Sequence, residues 1–149
     1  MAWIPCQKAK PDKVVAINSS VNLTYYENSQ WGANPAYLTP TIDCTGYKYA
    51  YVECQITPRN QYNNTAGGVS NTISIGIGNT SHMASMGTVS GAPSGGGMPT
   101  SYPVGKLTKK VDISSLTGNQ SILAYQSNYS WAGGVDSTIT VYNIRLSNS

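Results

Sequence analysis

Charged residues and phenylalanine are scarce in this sequence. Only 10% of its 149 residues are Asp, Glu, Lys or Arg, against about 25% in an ordinary globular protein, and Phe is absent. Ser, Thr, Asn and Gly are abundant instead, and these residues favour strands and turns over helices. The composition predicts a single all-β domain whose exposed faces carry hydroxyl and amide groups.

Long apolar runs are also missing. No segment approaches the roughly 18 apolar residues that a membrane helix needs. The first residues, MAWIPCQKAKPDK, have no apolar core behind a basic start, so we expect no signal peptide, no membrane partner and synthesis in the cytoplasm. The net charge of +3 is small and its lysines are not interleaved with stacking aromatics, which argues against a nucleic-acid partner.

Few side chains are suited to catalysis or metal binding. Cys6, Cys44 and Cys54 form an odd set without zinc-type spacing, so we expect reduced thiols, with Cys54 buried as a small apolar residue. His82 is the only histidine, and an adjacent Ser81 does not by itself make a catalytic pair. The six carboxylates lie in no glycosidase-like motif. The sequence predicts no enzyme activity, no cofactor and no metal site.

Short segments of alternating apolar and polar residues recur along the chain, bounded by Gly, Pro or Asn. This pattern is typical of an antiparallel sandwich or barrel. Strands are predicted at Val14–Ile17, Val21–Tyr26, Tyr47–Thr57, Thr72–Gly78, Leu107–Ile113, Ser121–Ser127 and Thr138–Leu146. In the last of these the apolar register switches near residue 141, which predicts a β-bulge or burial on both faces.

Two segments lack this alternation. Residues 79–105 are rich in glycine and other small residues, which predicts a long loop, either mobile or acting as an arm that docks on a neighbouring subunit. Residues 1–13 place Trp3 before a lysine-rich run, which predicts an extended N-terminal arm or an ordinary edge strand. The sandwich domain is then expected to span residues 14–149.

The large aromatic side chains all carry a polar group, since the chain has 11 Tyr and 3 Trp. Trp31 and Trp131 lie in segments rich in Asn, Ser and Gly, where exposed rings can stack on sugars. With Asn128 and Asp136 beside the second ring, they form a candidate carbohydrate site. Such rings also serve as hot spots of protein interfaces, or cap the end of a sandwich core.

Tyr47, Tyr49 and Tyr51 occupy alternate positions in the segment YKYAYVECQI. The other register, from Ala50 to Ile56, is small and apolar, so we expect it to face the core and the tyrosines to face outward. Cross-strand packing of the rings is one explanation of their alignment. The preferred one is a subunit interface, in which tyrosine is enriched, and which we expect Trp3 to join.

The second half of the chain carries a resemblance. From Lys109 it runs KKVDISSLTGNQSILAYQS, then a Trp/Gly loop, then STITVYNIRLSNS. This succession resembles the last third of jelly-roll domains in virion proteins of tailed bacteriophages, and it is similar to carbohydrate-binding modules of the same architecture. The segment YKYAYVECQI fits the long central strand of such domains. The resemblance implies a jelly-roll-like antiparallel β-sandwich.

The same resemblance implies a role in the virion. The first expectation is a non-enzymatic capsid decoration, head-fibre or tail accessory subunit that binds other capsid or tail proteins. By analogy we expect a homo-oligomer, of which a trimer is one compatible form. The alternative is a carbohydrate-binding module, and both roles are compatible in a virion protein that holds host-surface glycans.

Overall fold

The computed structural model describes residues 8–24, 35–63, 67–93, 97–128 and 133–149, and all regular elements in these ranges are β-strands. The strands are β1 (Lys13–Leu23), β2 (Ala36–Asp43), β3 (Tyr49–Asn63), β4 (Val69–Ile77), β5 (Met83–Gly91), β6 (Leu107–Asp112), β7 (Asn119–Asn128) and β8 (Gly133–Ser147).

The strands form two antiparallel sheets of four. The first sheet has the order β1-β8-β3-β6 and the second sheet has the order β2-β7-β4-β5. Strand β1 pairs with β8, β2 with β7, β3 with β6 and β4 with β5. The chain is thus one long hairpin whose turn lies between β4 and β5. Its two arms wrap together into two layers, which is the arrangement of a jelly roll. The expected antiparallel β-sandwich is confirmed.

The core lies between the two sheets and is built from the registers that the sequence predicted. On β3 the apolar register from Ala50 to Ile56 is buried, with Cys54 among its members. On β4 the three isoleucines Ile73, Ile75 and Ile77 are fully buried. In both strands one alternate set of side chains therefore faces the core and the other set faces outward.

Strand β8 contains the predicted bulge. Against β3, Asn143 pairs with Glu53 while Val141 pairs with Cys54, so Tyr142 is the extra residue. The extra residue allows Val141 and Ile144 both to face the core, because it shifts the alternation by one position. The register switch in the sequence is therefore explained by a bulge.

Strand β1 joins two segments that the sequence predicted as separate strands. Its pairing with β8 shifts between Ala16 and Ser19, and Asn18 between them has a positive φ of 47°. Asparagine tolerates this left-handed conformation better than most residues. The interruption is thus a local irregularity within one strand.

Strand β2 was not predicted. Its buried residues Leu38 and Ile42 are separated by Pro40, which has no N–H group for pairing. The register against β7 shifts between Leu38 and Ile42. This irregularity removes the strict alternation by which a strand is recognised in sequence.

The prediction that residues 79–105 lack regular structure is wrong for β5. The small residues of β5 pair with β4 from Val69↔Gly91 to Gly76↔Met83. Beyond it, Ser101 forms an isolated bridge to Ser90. Pairing to a neighbouring strand orders this segment and places Met86 and Val89 in the core.

Candidate functional site

The outer face of the first sheet carries two of the three tyrosines that the sequence places on one face. Tyr49 and Tyr51 point outward from β3 and are half-buried. Tyr51 pairs with Lys110 of β6 on one side and with Arg145 of β8 on the other. Its hydroxyl donates a hydrogen bond of 2.8 Å to the carbonyl oxygen of Ser149. Three adjacent strands thus converge on this ring.

Cationic side chains lie over both rings. The Lys110 Nζ is 3.9 Å from the ring centroid of Tyr49 and 5.7 Å from that of Tyr51. The Arg145 guanidinium carbon is 4.1 Å from the Tyr51 centroid, and Arg145 donates a 2.7 Å bond to the Asp12 carboxylate. Each cation–π contact contributes about 0.5–1 kcal/mol at an exposed site. Contacts within the sheet therefore favour one position of each ring.

Tyr142, the bulge residue, extends this surface. Its hydroxyl donates a 2.6 Å hydrogen bond to Oε1 of Gln55, and the Lys106 Nζ lies 4.1 Å from its ring centroid. Lys106 also lies 3.6 Å from a carboxylate oxygen of Glu53. The sequence placed Tyr142 in the register of the core residues that follow it, because the position of the bulge was not known. We call Tyr49, Tyr51 and Tyr142 with their cations the tyrosine surface.

Tyr47 does not belong to this surface, and the prediction that it shares a face with Tyr49 is wrong. Only 5% of Tyr47 is exposed, and it is part of the core. Its N–H donates to the carbonyl of Cys44, which places it in a turn before β3 begins at Tyr49. Strand alternation therefore does not extend back to residue 47. Lys10 covers the ring, with its Nζ 4.7 Å from the centroid.

The predicted carbohydrate residues are only partly within the described ranges. Trp31 and Trp131 lie outside them, as does Trp3 of the predicted interface. Asn128 is the last residue of β7. Asp136 lies on β8 and is only 7% exposed, so its carboxylate is enclosed by the protein. Carbohydrate binding by these residues stays a prediction.

A buried polar cluster lies inside the sandwich where β7 ends and β8 begins. The Gln126 Nε2 donates to the Val135 carbonyl at 3.1 Å, and the Val135 N–H donates to Oδ1 of Asn71 at 3.2 Å. Within the described residues, Gln126 Oε1 and Ser137 Oγ are buried without a hydrogen-bond partner. No motif in the sequence marks this cluster, although Gln126 continues the inward register of β7.

His82, the single histidine, borders an open pocket of about 290 Å³ that is also lined by Ser81, Asp112 and Ser114. Its Nδ1 lies 3.0 Å from the backbone carbonyl oxygen of Asp112. The Asp112 carboxylate instead accepts bonds from the hydroxyl and N–H of Ser114, which lower its pKa. The carboxylate therefore does not orient the imidazole, as a catalytic triad requires.

The described thiols are those of buried, unreactive cysteines. Burial raises the pKa of Cys44 to about 11 and that of Cys54 to about 12. Both are free, as the sequence predicted, whereas Cys6 lies outside the described residues. Within the described ranges, no group of three or more His, Cys, Asp or Glu side chains is placed to hold a metal ion. The same residues include no helix long and apolar enough to cross a membrane.

Comparison with known proteins gives only distant similarities. No family model matches the chain, and no curated protein matches it. Structures of infectious bursal disease virus are similar to it. For the Gt strain the TM-score is 0.41 at 13% identity over 96% of this chain, and for the VP2 subviral particle it is 0.38 at 11% identity over 96%. For the Gx strain it is 0.33 at 13% identity over 98%.

The chain spans only 33–40% of the length of those viral chains. Similarity this distant transfers no activity or partner, because one fold serves many functions. The surfaces of this protein are therefore the evidence for its function.

Proposed function

We propose that this protein is a non-enzymatic structural subunit of a tailed-bacteriophage virion, of the decoration, head-fibre or tail accessory kind. It acts through contacts with other virion subunits and forms a homo-oligomer. The jelly-roll arrangement is compatible with this role, since it occurs in viral capsid domains, and it is equally compatible with a lectin. The fold therefore fits a virion subunit but does not distinguish it from a carbohydrate-binding protein.

The main observation in support of the proposal is the tyrosine surface. Three half-buried rings with hydroxyl tips lie on one outer face, and cations hold Tyr49, Tyr51 and Tyr142 in place. Tyrosine and arginine are enriched in protein interfaces, where large rigid side chains lose little conformational entropy on binding. A surface ordered before binding suits a permanent contact between subunits.

The carbohydrate alternative has less support among the described residues. The two tryptophans on which it depends lie outside them, and Asp136 is enclosed. Carbohydrate binding is therefore the outcome that competes with subunit assembly. A chain that stays monomeric and whose tryptophan fluorescence responds saturably to host-surface glycans supports that alternative.

The proposal is tested by native mass spectrometry of the wild-type chain and Tyr49→Ser in reducing buffer over a range of concentrations. We expect a defined oligomer for the wild type and a monomer for Tyr49→Ser. The variant loses the Lys110 contact, so we expect its free energy of unfolding to fall by only about 0.5–1 kcal/mol.

Tyr37→Ser is the matched control. Tyr37 is 57% exposed on β2, in the second sheet, away from the tyrosine surface. We expect this variant to assemble like the wild type. Normal assembly of Tyr49→Ser, or a wild-type monomer at every concentration, contradicts the assignment of the tyrosine surface as a contact between copies.

A further inference from the structure

A second open pocket, of about 430 Å³, lies beside the beginning of β3, in the first sheet. Its lining residues come from three parts of the chain: Lys8, Ala9 and Lys10 before β1, Gly46 and Lys48 before β3, and Asn148 after β8. We call it the lysine pocket. Three of its six lining residues are lysines, and none is acidic.

Hydrogen bonds hold the walls of the lysine pocket together. The Asn148 Nδ2 donates to the carbonyl of Gly46 at 3.0 Å and to that of Lys10 at 3.3 Å, so it links two walls. Backbone bonds fix Lys48 on both sides: its N–H donates to Ser147 and its carbonyl accepts from Ile113. The pocket is therefore a defined feature of the fold and not a gap between independent side chains.

The glycine at position 46 shapes one wall. Its φ of +82° lies in the left-handed region that L side chains rarely adopt. A Cβ there would lie 3.3 Å from Cδ of Lys10, so a side chain would press on the lysine that borders the pocket. The turn thus leaves room for Lys10.

Of the three lysine ammonium groups, only that of Lys10 has a contact described for it within the structure's ranges. The Lys10 Nζ donates to the Thr45 carbonyl at 3.0 Å and lies over Tyr47. Lys8 and Lys48 are exposed, and within the described ranges neither forms an ion pair. Like charges around one cavity repel each other, so an anion bound between them would relieve this repulsion.

Most of the protein's positive charge lies at this end of the molecule. Lys13, Lys110 and Arg145 lie near the adjoining strand ends, so six of the nine basic residues are here. The carboxylates at this end accept local hydrogen bonds: Asp12 from Arg145, Asp43 from the Thr45 N–H and Asp112 from Ser114. An uneven distribution of this kind attracts anions toward the pocket.

We propose that the lysine pocket binds an oxyanion of the phosphate or sulfate class. Lysine ammonium groups bind such anions as point charges, and each has three N–H donors to offer. Lys8 and Lys48 supply the main contacts to the anion, and the Lys10 ammonium adds a weaker one. Asn148 holds the segments of Lys10 and Gly46 together. This role does not depend on the tyrosine surface.

The experiment is an NMR titration of the full ¹⁵N-labelled chain with sodium phosphate, and separately with sodium sulfate, at pH 7. Sodium chloride keeps the ionic strength constant. We expect saturable shifts of the Gly46 and Lys48 amides and of the Asn148 side-chain amide. Glucose 6-phosphate distinguishes the source of the group: tighter binding than inorganic phosphate indicates a group borne on a larger ligand, and equal binding indicates the free ion.

Charge-matched variants complete the test. Lys48→Gln and Lys8→Gln should each weaken phosphate binding about fivefold, as expected for one solvent-screened charge contact. Arg59→Gln makes the same change in net charge near the other end of β3, outside both the lysine pocket and the tyrosine surface, and should bind like the wild type. Equal weakening in all three variants, or shifts that do not saturate, would overturn the proposal, since either shows only non-specific attraction of ions.

Discussion

At the scale of single residues, two buried serines of β8 differ in their hydrogen bonding. Ser137 and Ser147 are both fully buried. Within the described residues Ser137 Oγ has no partner, whereas Ser147 Oγ accepts from the Ser149 N–H at 3.1 Å. A buried hydroxyl without a partner costs its lost hydration, while a bonded one contributes about 1 kcal/mol.

We therefore expect Ser137→Ala to leave the free energy of unfolding unchanged or to raise it. Ser147→Ala should lower it by about 1 kcal/mol. Urea unfolding followed by circular dichroism measures both. A loss of more than about 1 kcal/mol in Ser137→Ala would mean that its hydroxyl is bonded in the folded protein.

The buried thiols permit a second prediction at this scale. Because burial raises the pKa of Cys44 and Cys54 to about 11 and about 12, the folded state favours the neutral thiols. Their contribution to stability is full below the unfolded value of about 9 and is lost as the pH rises from there towards the folded values. In a Cys6→Ser background we expect a disulfide reagent at pH 8 to label neither thiol until denaturant is added. Rapid labelling of the native protein would contradict their burial.

At the scale of elements, the β4–β5 hairpin depends on Gly76. A Cβ at this position would lie 2.7 Å from Cγ of Met83 and 2.8 Å from the His82 carbonyl oxygen. That carbonyl cannot move freely, since it accepts a 3.0 Å bond from the Ile77 N–H. The close contact of β4 and β5 therefore requires glycine.

We expect Gly76→Ala to lower the free energy of unfolding by about 1–3 kcal/mol through overpacking. Gly67→Ala is the matched control, because a Cβ at Gly67 would meet nothing within 4 Å. Its effect should stay within about 0.5 kcal/mol. Equal effects in the two variants, measured by urea unfolding, would show that the contact at Gly76 relaxes without cost.

At the scale of the whole molecule, the pairing of distant strands dominates the fold. Strand β1 pairs with β8, from Lys13↔Leu146 onward, while the β4–β5 pairing is local. Domains with mostly non-local pairing fold in milliseconds to seconds, because loop closure must precede the contacts. We expect stopped-flow refolding of this chain on that timescale, with the β4–β5 hairpin formed before β1 pairs with β8.

Two matched core substitutions test this order. Ile75 on β4 and Ile144 on β8 are both fully buried, and Ile→Val at either should cost about 0.5–1.5 kcal/mol. Ile75→Val should mainly slow folding, and Ile144→Val should mainly speed unfolding. The reverse assignment of the two rates would show that the sheet closes at β8 first.

Local patterns predicted most strands correctly and missed those without a clear period. The isoleucines of β4 and the apolar register of β3 alternate strictly, so their burial could be predicted. Strand β2 is interrupted at Pro40, and the buried Met86 and Val89 of β5 are three positions apart, so neither strand has such an alternation. Their existence depends on partners β7 and β4, which lie elsewhere in the sequence.

The candidate surface was predicted in part for the same reason. The outward register of Tyr49 and Tyr51 follows from local alternation. The exclusion of Tyr47 depends on where the preceding turn ends, and the inclusion of Tyr142 depends on a bulge opposite Glu53. A shift of one residue moves a side chain to the opposite face, and only the pairing of the strands determines such shifts.

The sequence by itself determined the all-β class, the apolar registers of the core and the burial of Cys54, because these follow from composition and from the two-residue period of a strand. Only the tertiary structure decided the strand order, the cations above the tyrosines and the lysine pocket, where residues 8–10, 46–48 and 148 meet. The physical reason is that these features join residues distant in sequence, and their proximity depends on how the long hairpin wraps into two sheets.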